Sequence, residues 1–332
     1  MIDVFVTDAF QRKSLAAVRA LGRAGLRVAA GEVTRWSPAL WSRYVREAWV
    51  YPDPPVAWLA ERSRGWKVLM PMEEETLLAI LDRRARFDCA IPFESAEKIR
   101  LVRDKAWVAA QPEAPRTVAG PPCVVKPRIG SGSRGRVFCG TAEEFHRLDL
   151  RDAVVQERVE GEARCVSLLY DMEGACAAAF VHRRLHEYPA SGGPSTWRES
   201  VRDDALVERA LRIVARVGWR GVIQLEFKGG SLLDVNPRFW GSLNLAVRCG
   251  MNFPHLLFRA AMGERVRQFD YAVGVRGIWK SGELLRSLSG RWPAWSGHDD
   301  YFDDRDRAAG WASWLSVIPV LTRFREFLRP RR

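Results

Sequence analysis

The sequence lacks several patterns that would assign its class at once. Its six cysteines form no CxxC pair, which argues against a zinc ribbon or a disulfide framework and favours a reducing compartment. The stretch MIDVFVTDAF has no basic segment followed by a long apolar one, so no signal peptide is predicted. No apolar run is long enough to span a bilayer. We therefore expect a cytoplasmic protein without a transmembrane segment.

Several nucleotide and catalytic motifs are also missing. There is no GxGxxG after the first predicted strand, no Walker A, and neither a GxSxG nor a Cys–His pattern. His182 and His186 lie four residues apart but have no evident third metal ligand, so we interpret them as loop histidines. RNP, KH and zinc-knuckle patterns are absent, and no specific nucleic-acid partner is expected despite 14 tryptophans.

The composition is that of a globular protein. The chain has 332 residues with 47% hydrophobic content, enough for a sizeable core and two or three structural units. Its formal net charge of +12 favours acidic partners such as nucleotides, phosphates or an anionic membrane surface. A basic surface that only contacts solvent explains the same charge, and both interpretations stay open.

The N-terminal part of the chain has a βαβ pattern. IDVFVTD is typical of a strand, and apolar residues at helical spacing follow from Ser14, a predicted N-cap. LRVAAG resumes strand character after Gly25. The order strand, helix, strand predicts a parallel sheet, in a first unit that ends near residue 92.

The segment GVIQLEFKGGSLLDVN is typical of a β-hairpin. A two-residue turn at its Gly-Gly pair would place Glu226 opposite Leu233 and mix polar with apolar residues. A three-residue loop, Gly229–Ser231, instead pairs Glu226 with Asp234 and gathers the polar side chains, including Asn236, on one face. We therefore predict the three-residue loop, although Gly-Gly commonly forms two-residue turns.

That register places two carboxylates opposite each other, which destabilises a sheet by up to roughly 1 kcal/mol unless a cation is present. Two carboxylates and an amide oxygen form a hard oxygen cluster that suits Mg²⁺, with substrate phosphates completing the coordination shell. The alternative is an ordinary solvent-facing side of an antiparallel sheet, where acidic residues are common.

A second segment, VVKPRIGSGSRG, places Lys126 at the end of an apolar strand and glycines and serines after it. The backbone N–H groups of such a loop can surround phosphates while the lysine neutralises them. By itself the segment could equally be a flexible hairpin. Together with a Mg²⁺ cluster it indicates ATP chemistry, which requires both.

At this point the sequence resembles the ATP-grasp superfamily, and within it the carboxylate–amine ligase-like group. The resemblance extends from Ile2 to about Glu264, and its order and spacing are specific. The segments that carry it are RDK, VVKPRIGSGSRG, VVQERVEGE, HRRLHEYPASGGPSTWRES, QLEF and DVNPRFWGS.

The resemblance implies an α/β (α+β) ATP-grasp fold. An N-terminal Rossmann-like parallel-sheet domain is expected at 1–92 and a small lid domain at 93–160. A central domain with an antiparallel sheet and the Mg²⁺ and substrate site is expected at 161–290. A basic, Trp-rich extension at 291–332 has no assigned role. The segment between Lys105 and Lys126 is shorter than relatives usually have.

The resemblance also implies which residues bind ATP. The phosphates would be bound by Lys105, Lys126, Ser131, Gly132 and Ser133. The hinge would contact adenine, largely through its backbone, at Gln156, Glu157, Arg158 and Val159. Glu162 would hold the ribose, although Ala163 stands where similar sequences often have a second Glu.

For the metal and the reaction, the resemblance implies that Glu226, Asp234 and Asn236 hold one or two Mg²⁺, for which Mn²⁺ could substitute. Arg238 would stabilise the transferring phosphoryl group or the acyl phosphate. The acceptor site would be lined and closed by Arg183, Arg184 and the loop Ser191–Gly193.

The implied reaction joins a small-molecule carboxylate to a small-molecule amine through an acyl phosphate, with release of ADP and phosphate. A homodimer is compatible with the sequence. Two alternatives stay open: an ATP-grasp phosphotransferase or carboxylase, and a non-catalytic nucleotide-binding or membrane-surface protein with the same fold.

Overall fold

The computed structural model describes residues 1–130, 135–189 and 192–315. These residues form two compact units. The first consists of Met1–Pro92, Pro254–Met262 and 299–315, and the second of Phe93–Phe253 and Gly263–His298. The four-part division expected from the sequence stays a prediction.

The first unit is built on a four-stranded parallel sheet in the order β3-β2-β1-β4. Its elements up to residue 92 are β1 (Ile2–Val6), α1 (Arg12–Arg23), β2 (Val28–Glu32), β3 (Val45–Val50), α2 (Val56–Arg62), β4 (Trp66–Met70) and α3 (Glu74–Leu81). Short 3₁₀ turns lie at Pro38–Trp41, Ser63–Gly65 and Arg84–Arg86. The predicted βαβ start is confirmed.

The predicted start of the first helix is wrong. Helix α1 begins at Arg12, after Gln11, and Ser14 lies inside its first turn. The Ser14 hydroxyl donates to the backbone oxygen of Asp8 over 2.6 Å, so it satisfies the preceding loop rather than the helix end. A serine near a helix start can bond in either direction, and the sequence did not distinguish them.

The second unit contains two antiparallel sheets. Its elements up to residue 248 are α4 (Ala96–Arg103), α5 (Lys105–Ala109), β5 (Cys123–Pro127), β6 (Val137–Cys139), α6 (Ala142–His146), β7 (Ala153–Glu157), β8 (Ala163–Tyr170), β9 (Cys176–Glu187), β10 (Ser195–Ser200), α7 (Asp204–Ala215), β11 (Gly221–Lys228), β12 (Ser231–Asn236) and α8 (Leu243–Arg248). The chain then passes through α9 (Phe253–Ala261), most of which belongs to the first unit. The remaining elements are β13 (Arg276–Ile278), α10 (Lys280–Leu288), β14 (His298–Asp299) and α11 (Arg307–Leu315), the last in the first unit.

The smaller sheet has the order β6-β5-β7, and the larger one has the order β12-β11-β8-β9-β10-β13-β14. A parallel sheet together with antiparallel sheets confirms the predicted mixed α/β class. His182 and His186 lie in strand β9, so the interpretation of both as loop histidines is wrong. Among the described residues, no helix is long and apolar enough to cross a membrane.

Hairpin β11–β12 shows the predicted separation of polar and apolar residues. Ile223, Leu225 and Phe227 are buried, as expected for one face of a strand with a period of two. Gln224 and Glu226 lie on the other face, where the Gln224 amide donates to the Ser167 hydroxyl over 3.0 Å. This second face of the larger sheet carries the functional site described below.

Within the first unit, arginines of α1 bind aspartates that precede α11. Arg12 contacts Asp300 at 2.7 Å, and Arg23 pairs with Asp303. The innermost pair joins the Arg19 Nε to the Asp306 carboxylate at 2.7 Å, and both side chains are almost fully buried. The Asp306 carboxylate also accepts from the Ser42 hydroxyl at 2.7 Å. The net basic C-terminal region therefore contains an acidic segment that fastens it to the first helix.

Replacing Asp306 with alanine is expected to destabilise the protein by about 3–5 kcal/mol, because it leaves the buried Arg19 charge without its partner. The measurement is the free energy of unfolding in urea. The matched control is Asp304→Ala, since the Asp304 side chain is 97% exposed, and it should change stability by less than about 0.5 kcal/mol. Equal effects of the two variants would contradict the structural role of the Arg19–Asp306 pair.

Candidate functional site

A cleft in the second unit is lined by residues from both of its sheets. Strands β5, β6 and β7 of the smaller sheet contribute one side, and β8, β9, β11 and β12 of the larger sheet contribute the other. Six basic and four acidic residues line it: Lys105, Lys126, Arg136, Arg158, Arg184 and Lys228, with Glu157, Glu187, Glu226 and Asp234. Such a concentration of opposite charges in a concave site suits a polyanionic ligand and its counter-ions.

The hairpin brings Glu226 directly opposite Asp234, as predicted. The predicted three-residue loop is wrong, because Lys228 pairs with Ser231 and leaves the two-residue turn Gly229–Gly230. Both glycines have positive φ angles, +53° and +83°, which suits the tight hairpin turn that Gly-Gly favours. A bulge at Leu233 supplies the extra residue instead of the loop and restores the pairing of the two acids.

Glu226 is held by two neighbours. The Arg184 guanidinium lies 2.5 Å from one carboxylate oxygen, and the Asn236 amide nitrogen donates to the other over 2.9 Å. Burial by itself would raise the pKa of Glu226, but Arg184 and Asn236 outweigh it and lower that pKa. Glu226 is therefore the member of the pair that ionises at the lower pH.

Asp234 has the opposite character. Burial raises its pKa, and the negative charge of Glu226 adds to this effect, while Lys105 and Lys126 oppose it; the pKa is raised to about 6. Its carboxylate accepts from the Val235 backbone N–H over 3.0 Å. A group that must ionise against a neighbouring carboxylate is one whose charge a bound cation would stabilise.

The two predicted phosphate-binding lysines both reach the cleft. Lys126 is buried, and its ammonium donates to the Gln156 side-chain oxygen over 3.1 Å. Burial lowers the Lys126 pKa to about 8. Lys105, the first residue of α5, donates to the Gly130 backbone oxygen over 2.8 Å. Ser131, Gly132 and Ser133, the other predicted phosphate ligands, lie outside the described residues.

The predicted hinge comprises the last two residues of strand β7 and the two that follow. Glu157, Arg158 and Val159 line the cleft, while Gln156 is buried and is not among the lining residues. The Gln156 amide nitrogen donates to the Pro115 backbone oxygen over 3.0 Å while its oxygen accepts from Lys126. Gln156 therefore orients the lysine, a role that the sequence did not predict.

Apolar side chains complete the cleft beside the hinge. These residues were not predicted from the sequence: Val124, Phe138 and Leu233. Leu233 would face away from the acids in a regular strand, and it lines the cleft together with Asp234 because of the bulge. An apolar slot next to exposed backbone groups suits a flat heteroaromatic ring.

Arg183 and Glu162 are among the predicted residues that do not line the cleft, and both are held in ion pairs. The Arg183 guanidinium binds Glu199 at 2.8 Å and Glu162 at 3.1 Å. Glu162 also contacts Arg164 at 2.6 Å. Ala163 lines the cleft where the sequence led us to expect the ribose-binding acid. Arg184, one residue after Arg183, points into the cleft because successive side chains of a strand alternate.

Two further arginines lie near the acids. Arg238 donates to the Phe239 backbone oxygen over 2.9 Å, and its positive charge helps to lower the pKa of Glu226. Arg136 of the smaller sheet lines the cleft and donates to the Gly192 backbone oxygen. The sequence missed Arg136, although its position after the Gly/Ser segment was a usable signal. In the predicted acceptor loop, Ser191 lies outside the described residues.

The acid pair fits a magnesium ion. Mg²⁺ is bound in proteins by one or two carboxylates and otherwise by water and phosphate oxygens. Glu226 and Asp234 supply two carboxylates on one face, and the Asn236 side-chain oxygen is left available because its nitrogen bonds Glu226. Within the described part of the chain, no group of three or more His, Cys, Asp or Glu residues could hold a metal, so phosphate oxygens would have to complete the coordination.

The family comparison matches a model described as ATP-grasp in the biosynthetic pathway with Ter operon, over residues 149–278. A comparison with curated proteins found no match. Among solved structures, N5-carboxyaminoimidazole synthetase of Staphylococcus aureus in complex with ADP is 13% identical, with a TM-score of 0.68 over 87% of this chain and 86% of that one.

Two biotin carboxylases are similar to the same degree. The Campylobacter jejuni enzyme, described as a β-γ-ATP complex, is 14% identical, with a TM-score of 0.67 over 83% of this chain and 74% of that one. The biotin carboxylase domain of Hydrogenobacter thermophilus 2-oxoglutarate carboxylase, a dimer with MgADP, ADP and bicarbonate, is 14% identical. Its TM-score is 0.65 over 83% of this chain and 73% of that one.

The shared fold, a parallel sheet followed by a small and a large antiparallel sheet, is that of the ATP-grasp proteins. Residues 149–278, from β7 to β13, also match the ATP-grasp family model, so the family likeness covers this part of the chain.

The hairpin turn should tolerate a side chain at Gly230 better than at Gly229. Both positions have positive φ, so each alanine costs about 1–2 kcal/mol in backbone strain. A Cβ at Gly229 would also lie 2.3 Å from the Glu160 backbone oxygen, whereas one at Gly230 would lie 3.4 Å from the flexible Arg209 side chain. We expect Gly229→Ala to lower the free energy of unfolding clearly more than Gly230→Ala in urea titrations. Equal losses would show that the turn is not packed against Glu160.

Asp234 should make stability depend on pH in a characteristic direction. Its folded pKa is raised from 3.8 to about 6, so the folded wild type loses stability as the pH rises through this interval. Asp234→Asn cannot ionise and should escape this loss. The melting temperature of the variant minus that of the wild type should therefore increase between about pH 4 and about pH 6 and then stay constant.

The control for this experiment is Asp152→Asn, at an exposed position in the turn that precedes β7. It removes the same charge and should show no such pH-dependent difference. A constant difference between Asp234→Asn and the wild type over the whole range would mean that Asp234 ionises normally.

Proposed function

We propose that this ATP-grasp protein is a ligase that activates a carboxylate with ATP and joins it to an amine. The observation that carries the proposal is the acid pair, Glu226 opposite Asp234, in a cleft that also holds Lys105 and Lys126. Magnesium-bound ATP needs this combination of hard oxygen ligands and phosphate-neutralising cations. The family description, which refers to a biosynthetic pathway, supports a synthetic reaction.

The lysines would bind the phosphates. Although Lys126 is buried, its pKa of about 8 leaves most of it charged near neutral pH, and a bound phosphate would raise that pKa again. Gln156 fixes the Lys126 ammonium, so the charge is in place before ATP arrives. Adenine would occupy the apolar slot between Phe138 and Leu233, next to the backbone of Glu157–Val159.

Glu226, Asp234 and Asn236 would hold one or two magnesium ions. Magnesium bound there supplies neutralisation of the phosphate oxygens and keeps the γ-phosphate aligned for transfer. Substitution by Mn²⁺ stays a prediction. In the structure, Arg184 supplies a positive charge to Glu226 at 2.5 Å, so the acid pair is partly neutralised by the chain's own residues.

The chemistry then proceeds in two steps. A carboxylate oxygen of the acid attacks the γ-phosphorus, and the bond to the ADP oxygen breaks to leave an acyl phosphate. The amine nitrogen attacks the acyl carbon, inorganic phosphate leaves, and the nitrogen loses a proton to give the amide. Arg184, Arg136 and Arg238 are the groups placed to stabilise the negative charge in these steps.

Arg136 has a second role in this proposal. Its guanidinium donates to the Gly192 backbone oxygen, and Arg184 approaches the Gly193 backbone oxygen at 3.4 Å. Both arginines therefore connect the cleft to the loop between β9 and β10. Holding that loop over the site would exclude water, which would otherwise hydrolyse an acyl phosphate.

A carboxylase is the second candidate, and one comparison favours it. The similar carboxylase domain from Hydrogenobacter thermophilus is described with bicarbonate bound, and bicarbonate carries the carboxylate group that the proposed first step would phosphorylate. A phosphotransferase would stop after the first step with a different acceptor. A non-catalytic protein is the less favoured alternative, because Lys126, Glu226 and Asp234 line one cleft and Asn236 contacts Glu226, as an ATP and metal site would require. A cytoplasmic location and a homodimer stay predictions.

The proposal is tested by measuring ADP release from MgATP with a matrix of carboxylate and amine pairs, bicarbonate included, and by identifying the product by mass. We expect ADP formation that requires both an acid and an amine, with an amide product. ADP release with bicarbonate alone as the acid identifies a carboxylase, and a phosphorylated product identifies a phosphotransferase. Failure of the wild type to bind MgADP would reject ATP chemistry altogether.

Adjacent arginines provide a matched pair of variants. Arg184→Gln removes the charge that contacts Glu226 in the cleft and should lower kcat/KM by about a hundredfold or more. Arg183→Gln removes the same charge from the outward ion pairs with Glu199 and Glu162 and should change kcat/KM by less than about threefold. Melting temperatures establish that both variants are folded. Comparable losses in both variants would show that the cleft does not discriminate the two arginines.

A further inference from the structure

Helix α10 and the loop that follows it carry apolar side chains on the protein surface. We call the following five residues the tryptophan patch: Leu284, Leu285, Leu288, Trp292 and Trp295. Trp292 is 91% exposed, Leu288 is 78% exposed and Trp295 is 74% exposed. Single exposed apolar residues are ordinary, but a continuous group of large ones marks an interaction surface.

The opposite side of α10 fixes the orientation of the helix. Glu283 is almost completely buried and accepts from the Thr196 hydroxyl, the Ala294 backbone N–H at 2.6 Å and the His186 ring at 3.0 Å. The neighbouring Gly282 lies so close to the sheet that a Cβ there would be 2.7 Å from Thr196. The helix therefore cannot rotate to bury its leucines without breaking these contacts.

The loop after α10 is also held in place. The Arg286 guanidinium donates to the Trp292 backbone oxygen over 2.5 Å. The indole N–H of Trp197 in strand β10 donates to the Ser296 backbone oxygen over 2.9 Å. An anchored loop thus carries the two exposed tryptophans. Because the loop is already ordered, it loses less conformational entropy when a partner binds.

The charged residues of the segment that carries the patch have one sign, and the acidic residues that flank it, Glu283, Asp299 and Asp300, are buried. Residues 284–298 include Arg286 and Arg291 but no Asp or Glu. Lys280 stands at the start of the same helix. Proteins that bind a membrane surface without spanning it combine three kinds of residue. Leucines contact the acyl chains, tryptophans lie at the level of the headgroups, and basic residues bind anionic headgroups.

A second copy of the chain fits this surface less well. In a symmetric dimer the same patch would lie on both subunits, so Arg286 and Arg291 would approach their own counterparts without a carboxylate of residues 284–298 to compensate. Juxtaposed like charges oppose such a contact. An anionic lipid surface instead complements the patch in both hydrophobicity and charge.

We propose that the tryptophan patch docks this protein on the surface of an anionic lipid bilayer. The proposal concerns where the protein acts and is independent of the ligase reaction. Docking places Trp292 and Trp295 at the headgroup level and Arg286 and Arg291 next to lipid phosphates. It requires no membrane-spanning segment.

Co-sedimentation of the full chain with large unilamellar vesicles tests the proposal. One set of vesicles contains phosphatidylcholine alone, and the other contains phosphatidylcholine mixed with phosphatidylglycerol. We expect binding to the mixed vesicles that weakens as salt is added. The double variant Trp292→Ala/Trp295→Ala should bind at least about tenfold more weakly. Arg291→Gln should weaken binding to the mixed vesicles but leave binding to the phosphatidylcholine vesicles unchanged.

Two matched variants serve as controls. Trp36→Ala/Trp41→Ala removes two half-exposed tryptophans from the first unit, and Arg212→Gln removes one exposed charge from α7; both should bind as the wild type does. Melting temperatures verify folding. Absence of binding to the mixed vesicles, or equal binding of the Trp292→Ala/Trp295→Ala variant, would overturn the proposal. So would self-association without lipid that this variant abolishes, because the patch would then be a dimer surface.

Discussion

The repulsion between Glu226 and Asp234 is the constraint around which the second unit is organised. Two carboxylates opposite each other on one face of a sheet are unfavourable, and burial makes them more so. The surrounding residues reduce this cost unequally. Arg184 and Asn236 bind Glu226, whereas Asp234, as far as the described residues show, accepts from a backbone N–H and is influenced by the charges of two lysines. One acid is therefore stabilised as an anion and the other is left for a cation to stabilise.

The pairing of these acids could be predicted from the sequence, whereas the way the chain achieves it could not. Matching polar with polar residues across the hairpin determines that Glu226 faces Asp234. It does not determine where the extra residue goes, because a longer loop and a bulge shift the register equally. The Gly-Gly pair favours a two-residue turn locally, and the extra residue moved to Leu233. That placement carries a consequence for the site, since it turns an apolar side chain into the cleft beside Asp234.

The other differences arise where one strand presents two candidates of the same chemistry. From the sequence, Arg183 and Arg184 are equally plausible as residues that line the cleft, and Glu162 is equally plausible as a neighbour of the cleft. Alternation allows only one of two successive residues on each face. Which one faces the cleft depends on the pairing of β9 with β8, where Arg184 lies opposite Ala163 and Arg183 opposite Arg164. That pairing involves residues about twenty positions apart and is fixed by packing over the whole sheet. It therefore cannot be predicted from the individual residues.

The net charge of the chain likewise does not predict what its individual charged residues do. The chain is strongly basic, and its C-terminal region was expected to be a basic extension, yet the segment before α11 carries the aspartates that bind Arg12, Arg19 and Arg23 of α1. Net charge sums over such pairs and hides them. The segment of the tryptophan patch is the reverse case, because Arg286 and Arg291 belong to a stretch, 284–298, that contains no Asp or Glu. Arginines thus hold the first unit together in one place and stand in a segment without acids in another, and net charge alone does not distinguish the two.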